Sequence, residues 1–211
     1  MRPALLVIAK APVAGRVKTR LCPPCTPGQA ARLARAALED TLAAADGVRS
    51  CGRRVLVLDG APGPWLPPGW EVVAQRGDGL AARLAAAFAC AGGPALLVGM
   101  DTPQVTAARL DAGLAALART DAVLGPAPDG GYWAIGLRAP AAAVFDGVPM
   151  SVAGTGAAQR RRLDALGLRT ALLAPLRDVD TIADARAVAA AAPEGRFAAE
   201  LAALAPGLVA A

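Results

Sequence analysis

Residues 4–21 read Ala4-Leu-Leu-Val-Ile-Ala9-Lys10-Ala-Pro-Val-Ala-Gly15-Arg-Val-Lys18-Thr-Arg20-Leu21, and this segment sets the architecture. Six apolar residues in a row, Ala4–Ala9, predict a strand buried on both faces rather than an alternating half-buried one. A basic, glycine-containing loop follows. After it, Thr26-Pro27-Gly-Gln29 opens a helix over Pro27–Ala45. Thr26 and Gln29 have the spacing of a capping box, and proline suits the first helical turn because it lacks the N–H that would be unpaired there. Leu33, Ala37, Leu38, Thr41 and Leu42 fall on one face at 3.6-residue spacing.

The same alternation continues along the chain. Strands are predicted at Arg54–Asp59, Trp70–Ala74, Ala95–Gly99, Ala122–Gly125, Tyr132–Leu137 and Arg169–Leu173. Helices are predicted at Leu80–Cys90, Ala107–Ala118, Gly156–Leu166 and Ile182–Ala192, the last capped by Thr181 and Asp184. Short buried strands alternating with amphipathic helices predict a three-layer α/β/α sandwich with a mostly parallel sheet. In such a sheet, ligands bind beyond the carboxyl ends of the strands. At 211 residues, one domain over 1–211 is expected, with a C-terminal helical tail at about 193–211.

Composition narrows the chemistry. The chain has no histidine, which excludes histidine acid/base catalysis, Ser-His-Asp triads and His-ligated zinc. Seven aromatics, 3 Phe, 3 Trp and 1 Tyr, are too few for a stacking platform, so single-stranded nucleic acid is not the expected partner. The net charge of +5 instead suits anionic small molecules. Apolar runs are too short for a membrane span or a signal-peptide core, and a cytoplasmic protein is expected. Cys22-Pro-Pro-Cys25 has redox or zinc half-site spacing, but no second close pair accompanies it, and the expected role is loop filling.

Four segments carry candidate chemistry. Only two of the 22 basic residues are lysines, Lys10 and Lys18, and both lie in the loop after the first strand. There Gly15 permits close backbone approach, and Lys18 and Arg20 supply charge to a phosphate. Gly15-x-x-Lys18-Thr19 is not a P-loop, because Val17 stands where that motif needs glycine. Second, Gly99-Met-Asp101-Thr-Pro103 places a carboxylate at a strand end, where it could hold Mg²⁺ against phosphates. Third, Gly125-Pro-Ala-Pro-Asp129-Gly130-Gly131-Tyr132-Trp133 reads both as a hairpin turn and as a place for a ligand to lie against the backbone. Fourth, Asp178-Val-Asp180 precedes the cap at Thr181, and either acid could complete a metal site with Asp101. Arg160-Arg161-Arg162 reads as a solvated helix face, with contact to an anionic acceptor as the alternative.

Taken in order, these segments resemble a bacterial glycosyltransferase-like family, some of whose members are labelled arsenosugar-biosynthesis glycosyltransferases. It is related to the molybdenum-cofactor and phospholactate guanylyltransferases. The resemblance runs from about Ala4 to Ala192 and implies the nucleotide-diphospho-sugar transferase (GT-A-like) fold. It implies that Lys10, Gly15, Lys18 and Arg20 form the nucleotide and phosphate loop, and that Asp101 and Asp180 hold Mg²⁺ or Mn²⁺. Asp129, Gly130, Gly131 and Tyr132 would face the sugar or a small-molecule acceptor. Asp101, Asp129 and Lys18 are the catalytic candidates. Where the family tends to show Trp-Ser after Phe145, this chain has Met150-Ser151, a departure that bears on the acceptor. The implied activity is Mg²⁺-dependent glycosyl transfer from a nucleotide-sugar. The alternatives are nucleotidyl transfer with release of pyrophosphate, and a non-catalytic nucleotide-binding module.

Overall fold

A computed structural model describes residues 2–208. Its strands are β1 (Ala4–Lys10), β2 (Arg53–Asp59), β3 (Glu71–Ala74), β4 (Ala95–Gly99), β5 (Ala122–Pro126), β6 (Tyr132–Leu137) and β7 (Thr170–Leu172). The helices are α1 (Pro27–Asp46), α2 (Gly79–Ala91), α3 (Ala107–Leu117), α4 (Thr155–Ala165), α5 (Ile182–Ala191) and α6 (Arg196–Leu208). Each predicted strand and helix is present, with ends that differ by at most one residue. The tail expected at about 193–211 contains α6; positions 209–211 lie outside the described residues.

The caps explain several helix starts. The Thr26 hydroxyl accepts from the Gln29 N–H, and the Gln29 side chain accepts from the Thr26 N–H. Thr181 and Asp184 make the same reciprocal pair at α5, and the Thr106 side chain caps α3. Each cap satisfies donors that the first helical turn cannot pair internally.

The seven strands form one sheet in the order β3-β2-β1-β4-β6-β5-β7. Its pairs are parallel except those made by β6, which runs antiparallel to both β4 and β5. The reason is local. β5 and β6 are joined by a tight turn in which the Ala127 and Gly131 backbones bond and Gly130 sits at φ 91°. A turn that short can only return the chain antiparallel.

Strand alternation sorts the core onto two faces. Leu5, Val7, Leu56, Leu58, Leu96 and Val98 pack with α1 and α3. Leu6, Val55, Val57, Leu97, Leu124 and Ile135 pack on the other face with α2 and α4. Burying each such side chain contributes about 1.5–3 kcal/mol. A third cluster joins the outer face of α1, through Leu33 and Ala37, to α5 and to Phe197 and Leu201 of α6. The carboxyl ends of β1 and β4 lie side by side as a result, with the β3–α2 connection beside them.

Candidate functional site

A cleft of about 590 Å³ opens at those strand ends, within the usual size of a small-molecule site. The loop after β1 forms one wall. Gly15 is left-handed at φ 77°, with open space where a side chain would stand. Lys18 is also left-handed, at φ 49° and ψ 37°, immediately before a 3-10 turn over Thr19–Leu21. For a residue with a side chain this costs roughly 1–2 kcal/mol, and other contacts hold it there. Its side chain is only 9% exposed, and its ammonium lies 2.7 Å from Asp101 Oδ1. The ammonium also donates to the Val179 carbonyl. The Val179 N–H in turn donates to the Asp101 carbonyl at 2.9 Å. Lys18 therefore joins the first loop, the end of β4 and the segment before α5 into one floor.

Around this floor the other candidates are distributed unevenly. Arg20 Nη1 is 2.7 Å from Asp180 Oδ2, in a pair open to water. Lys10 is exposed and lines the cleft, with its backbone N–H directed at the Met100 sulfur. Lys10, Lys18, Arg20, Asp101, Asp180 and Tyr132 all line the cleft, whereas Gly15, Asp129, Gly130 and Gly131 do not. Asp129 caps its own turn by accepting from the Gly131 N–H at 2.8 Å. Tyr132 is half-buried, and its hydroxyl donates to Gln159 Oε1 at 3.3 Å. Burial pushes that phenol above its ordinary range.

The acids group differently from their sequence spacing. The resemblance pairs Asp101 with Asp180 at a cation. In the fold, the carboxylates that offer oxygens within 4.8 Å of one another are Asp129, Asp178 and Asp180, while one oxygen of Asp101 is held by Lys18. Burial pushes the Asp178 carboxyl up to about 6, with the Asp129 and Asp180 charges adding to the rise and Lys18 opposing it. Three crowded oxygens with one carboxyl driven toward protonation are a donor set that suits a hard divalent cation. The turn that carries Asp129 is pinned against α4. A Cβ on Gly130 would come within 2.8 Å of the Gly154 nitrogen, and one on Gly156 within 2.6 Å of the Gly131 oxygen.

Two side chains of the site escaped the sequence reading. Gln75, just beyond β3, and Arg83, on α2, both line the cleft. The strand-end rule applied to β1 and β4 also applies to β3, and the run Gln75-Arg76-Gly77-Asp78-Gly79 was the available signal. The other singled-out segments stay structural. Arg160 pairs with Asp164 one turn along α4, and Arg162 donates to the Ala143 carbonyl. All four cysteines are free thiols, and burial raises that of Cys25.

A family model described as an uncharacterized protein conserved in bacteria (DUF2064) matches residues 29–152, and the chain belongs to that family. The fold is that of the nucleotide-diphospho-sugar transferases, in agreement with the resemblance carried by the four motifs. The chain is similar to a Desulfovibrio desulfuricans G20 protein provisionally described as a nucleotide-diphospho-sugar transferase. The two are 26% identical with TM-score 0.85, over 99% of this chain and 97% of the other. It shares its fold with Mycobacterium tuberculosis H37Rv Rv0371C in complex with manganese, at 23% identity and TM-score 0.53, over 89% and 98% of the two chains. It also shares it with the 2-C-methyl-D-erythritol 4-phosphate cytidylyltransferase of Thermus thermophilus, at 19% identity and TM-score 0.56, over 93% and 100%. No protein of curated function matches the chain in sequence. No helix among the described residues is long and apolar enough to cross a membrane.

Proposed function

We propose that this chain is a divalent-metal-dependent transferase that takes a nucleotide-sugar and moves the sugar to a small-molecule acceptor. The observation that carries this reading is the convergence at Lys18: a buried ammonium reaches from the first loop to Asp101 and to the backbone between Asp178 and Asp180. Two cations, Lys18 and Arg20, are here balanced by two carboxylates, Asp101 and Asp180. A nucleoside diphosphate arriving with a divalent cation preserves that balance, because phosphate oxygens pair with the cations and the metal pairs with the carboxylates. Asp101 and Asp180 would hold the metal, with Asp178 and Asp129 close enough to contribute. Mg²⁺ or Mn²⁺ there would stabilise the departing diphosphate. Lys18 and Arg20 share that developing charge, and Asp129 orients or deprotonates the acceptor hydroxyl. The D. desulfuricans relative and the manganese-bound fold neighbour are in keeping with this.

Nucleotidyl transfer is the second reading. Lys10, Arg16, Lys18 and Arg20 place four cations on one short loop, enough to match a triphosphate. The same groups would then assist attack on the α-phosphorus and the departure of pyrophosphate.

The test is a thermal-shift panel of nucleotide-sugars and nucleoside triphosphates, with and without Mg²⁺ or Mn²⁺. A ligand that binds only the folded chain raises stability by RT ln(1 + [L]/Kd). Metal-dependent stabilisation by nucleotide-sugars supports glycosyl transfer, and a response to triphosphates alone favours the second reading. Product analysis by ³¹P NMR, nucleoside diphosphate against pyrophosphate, separates the two. No response to any nucleotide would overturn both.

A further inference from the structure

The segment Leu173–Asp180, which carries two of the three crowded acids, has no regular secondary structure, so individual bonds fix its place. Up to Leu176 those bonds come from β5 and β6. The Leu173 and Leu176 N–H groups donate to the Leu124 and Pro126 carbonyls at 2.9 and 3.2 Å, and Trp133 Nε1 donates to the Ala174 carbonyl at 3.2 Å. From Arg177 onward the holder changes to the turn that begins at Asp101. Gln104 Nε2 donates to the Arg177 carbonyl at 2.6 Å, and the Val179 N–H donates to the Asp101 carbonyl at 2.9 Å. Peptide units are planar. The first bond therefore holds the peptide before Asp178, and the second holds the peptide after it. Asp178 stands between two planes anchored to the same turn as Asp101.

The second bond is main chain on both sides and survives substitution. The first depends on one side chain. The turn that carries Gln104 is itself firm: the Val105 N–H donates to the Thr102 carbonyl at 2.9 Å, Pro103 has a fixed φ, and Val105 is buried in the core. Gln104 Oε1 is buried without a protein partner, as is Thr102 Oγ1, and among the described residues these are the only two such side-chain atoms. A buried unpaired acceptor destabilises the fold, and an unbranched apolar side chain of the same length would avoid that cost. Stability alone does not account for an amide at this position. The bond its nitrogen makes to the peptide of Asp178 does.

Resting on the metal reading above, we propose that Gln104 is a positioning residue for the cation: it holds Asp178 at a fixed place relative to Asp101, and so makes the acids select Mg²⁺ over Ca²⁺. Mg²⁺ demands near-octahedral oxygens at short distance, whereas Ca²⁺ accepts longer bonds in irregular geometry. Slack in the acids therefore penalises Mg²⁺ more than Ca²⁺.

The test is Mn²⁺ binding to the metal-free parent, Gln104→Met and Gln104→Ala, followed by electron paramagnetic resonance of the free ion, with Mg²⁺ and Ca²⁺ as competitors. Losing a group that orients metal ligands costs about 10- to 100-fold in affinity. Both variants should lose about that much for Mg²⁺ and less for Ca²⁺, so that the Mg²⁺/Ca²⁺ affinity ratio falls at least about five-fold. The metal-free Tm of Gln104→Met should stay within about 4 °C of the parent, because the substitution removes a bond and an unpaired acceptor together. Gln104→Ala carries the test if Gln104→Met does not fold, and failure of both to fold would make Gln104 a structural residue and overturn the inference. A ratio that stays at the parent value, whether or not the affinities fall together, overturns it and leaves the metal reading standing. So does a parent that binds Ca²⁺ more tightly than Mg²⁺. A parent that binds none of the three ions removes the metal reading of these acids and this inference together.

Discussion

Replacing Lys18 by methionine keeps the length of the side chain and deletes its charge. The stem remains packed, so the change isolates the ammonium. Two groups lose a partner: Asp101 Oδ1, at 2.7 Å, and the Val179 carbonyl. Deleting one member of a fully buried ion pair costs about 3–5 kcal/mol. Here the Asp101 side chain is 45% exposed although Lys18 is only 9% exposed, so water can rehydrate the abandoned carboxylate. The expected loss is therefore smaller, about 1–3 kcal/mol. For a chain of this length each kcal/mol lowers Tm by roughly 2–4 °C, and Lys18→Met should melt about 2–12 °C below the parent. Its effect on binding should be larger than that of a remote charge. A desolvated, charge-assisted phosphate contact contributes roughly 1.5–3 kcal/mol, or about 10- to 150-fold in affinity. Arg161→Ala is the control. Arg161 is exposed on α4, and losing its screened charge should cost less than about 1 kcal/mol. Thermal unfolding of both variants, followed by titration of a nucleotide-sugar at moderate salt, gives the two numbers. Equal affinity losses would mean that a basic protein attracts anions diffusely, and the phosphate-loop reading would go. A Lys18→Met variant that melts with the parent would show that the ammonium does not hold the floor together.

Asp178 links the site to pH. Its carboxyl titrates at about 6 in the fold against an ordinary 3.8, so the folded chain favours its protonated form. Its contribution to stability is therefore present at low pH and lost as pH rises through about 6. The metal-free chain should gain stability from this group as pH falls from about 7 to about 5, and stabilisation by Mn²⁺ should shrink over the same window as protons compete for the carboxylate; identical pH slopes for the parent and Asp178→Asn would refute this. Gly156→Ala should cost about 1–3 kcal/mol, because the new Cβ meets two backbone oxygens of the Asp129 turn, at 2.6 and 3.1 Å, and a backbone cannot swing aside as a side chain can; an unchanged Tm would contradict it. Cys22→Ser combined with Cys25→Ala should leave nucleotide binding as it was, and metal analysis of the parent purified without added metal should find no zinc; stoichiometric zinc would overturn the loop-filling role.

The linear chain already specifies the elements and the loops that matter. Ala4–Ala9 is apolar at every position because β1 is covered on both faces. The Thr26–Gln29 and Thr181–Asp184 boxes start helices through contacts three residues apart. Such signals are local, so they survive in a linear reading. Packing settles what no local rule contains. Asp101 and Asp180 are 79 positions apart in sequence (180 − 101), and only the fold shows that Lys18 takes one oxygen of Asp101 while Asp180 joins Asp129 and Asp178. β6 lies between β4 and β5 in the sheet, an order that no local signal in the chain contains. Gln75 and Arg83 enter the site because β3 ends beside β2 and β1, so that an amide beyond β3 can reach the carbonyls of Ala9 and Val57. Each of these is a distance between residues remote in the chain, and it is the sheet order, set by burial of the whole core, that brings them within reach.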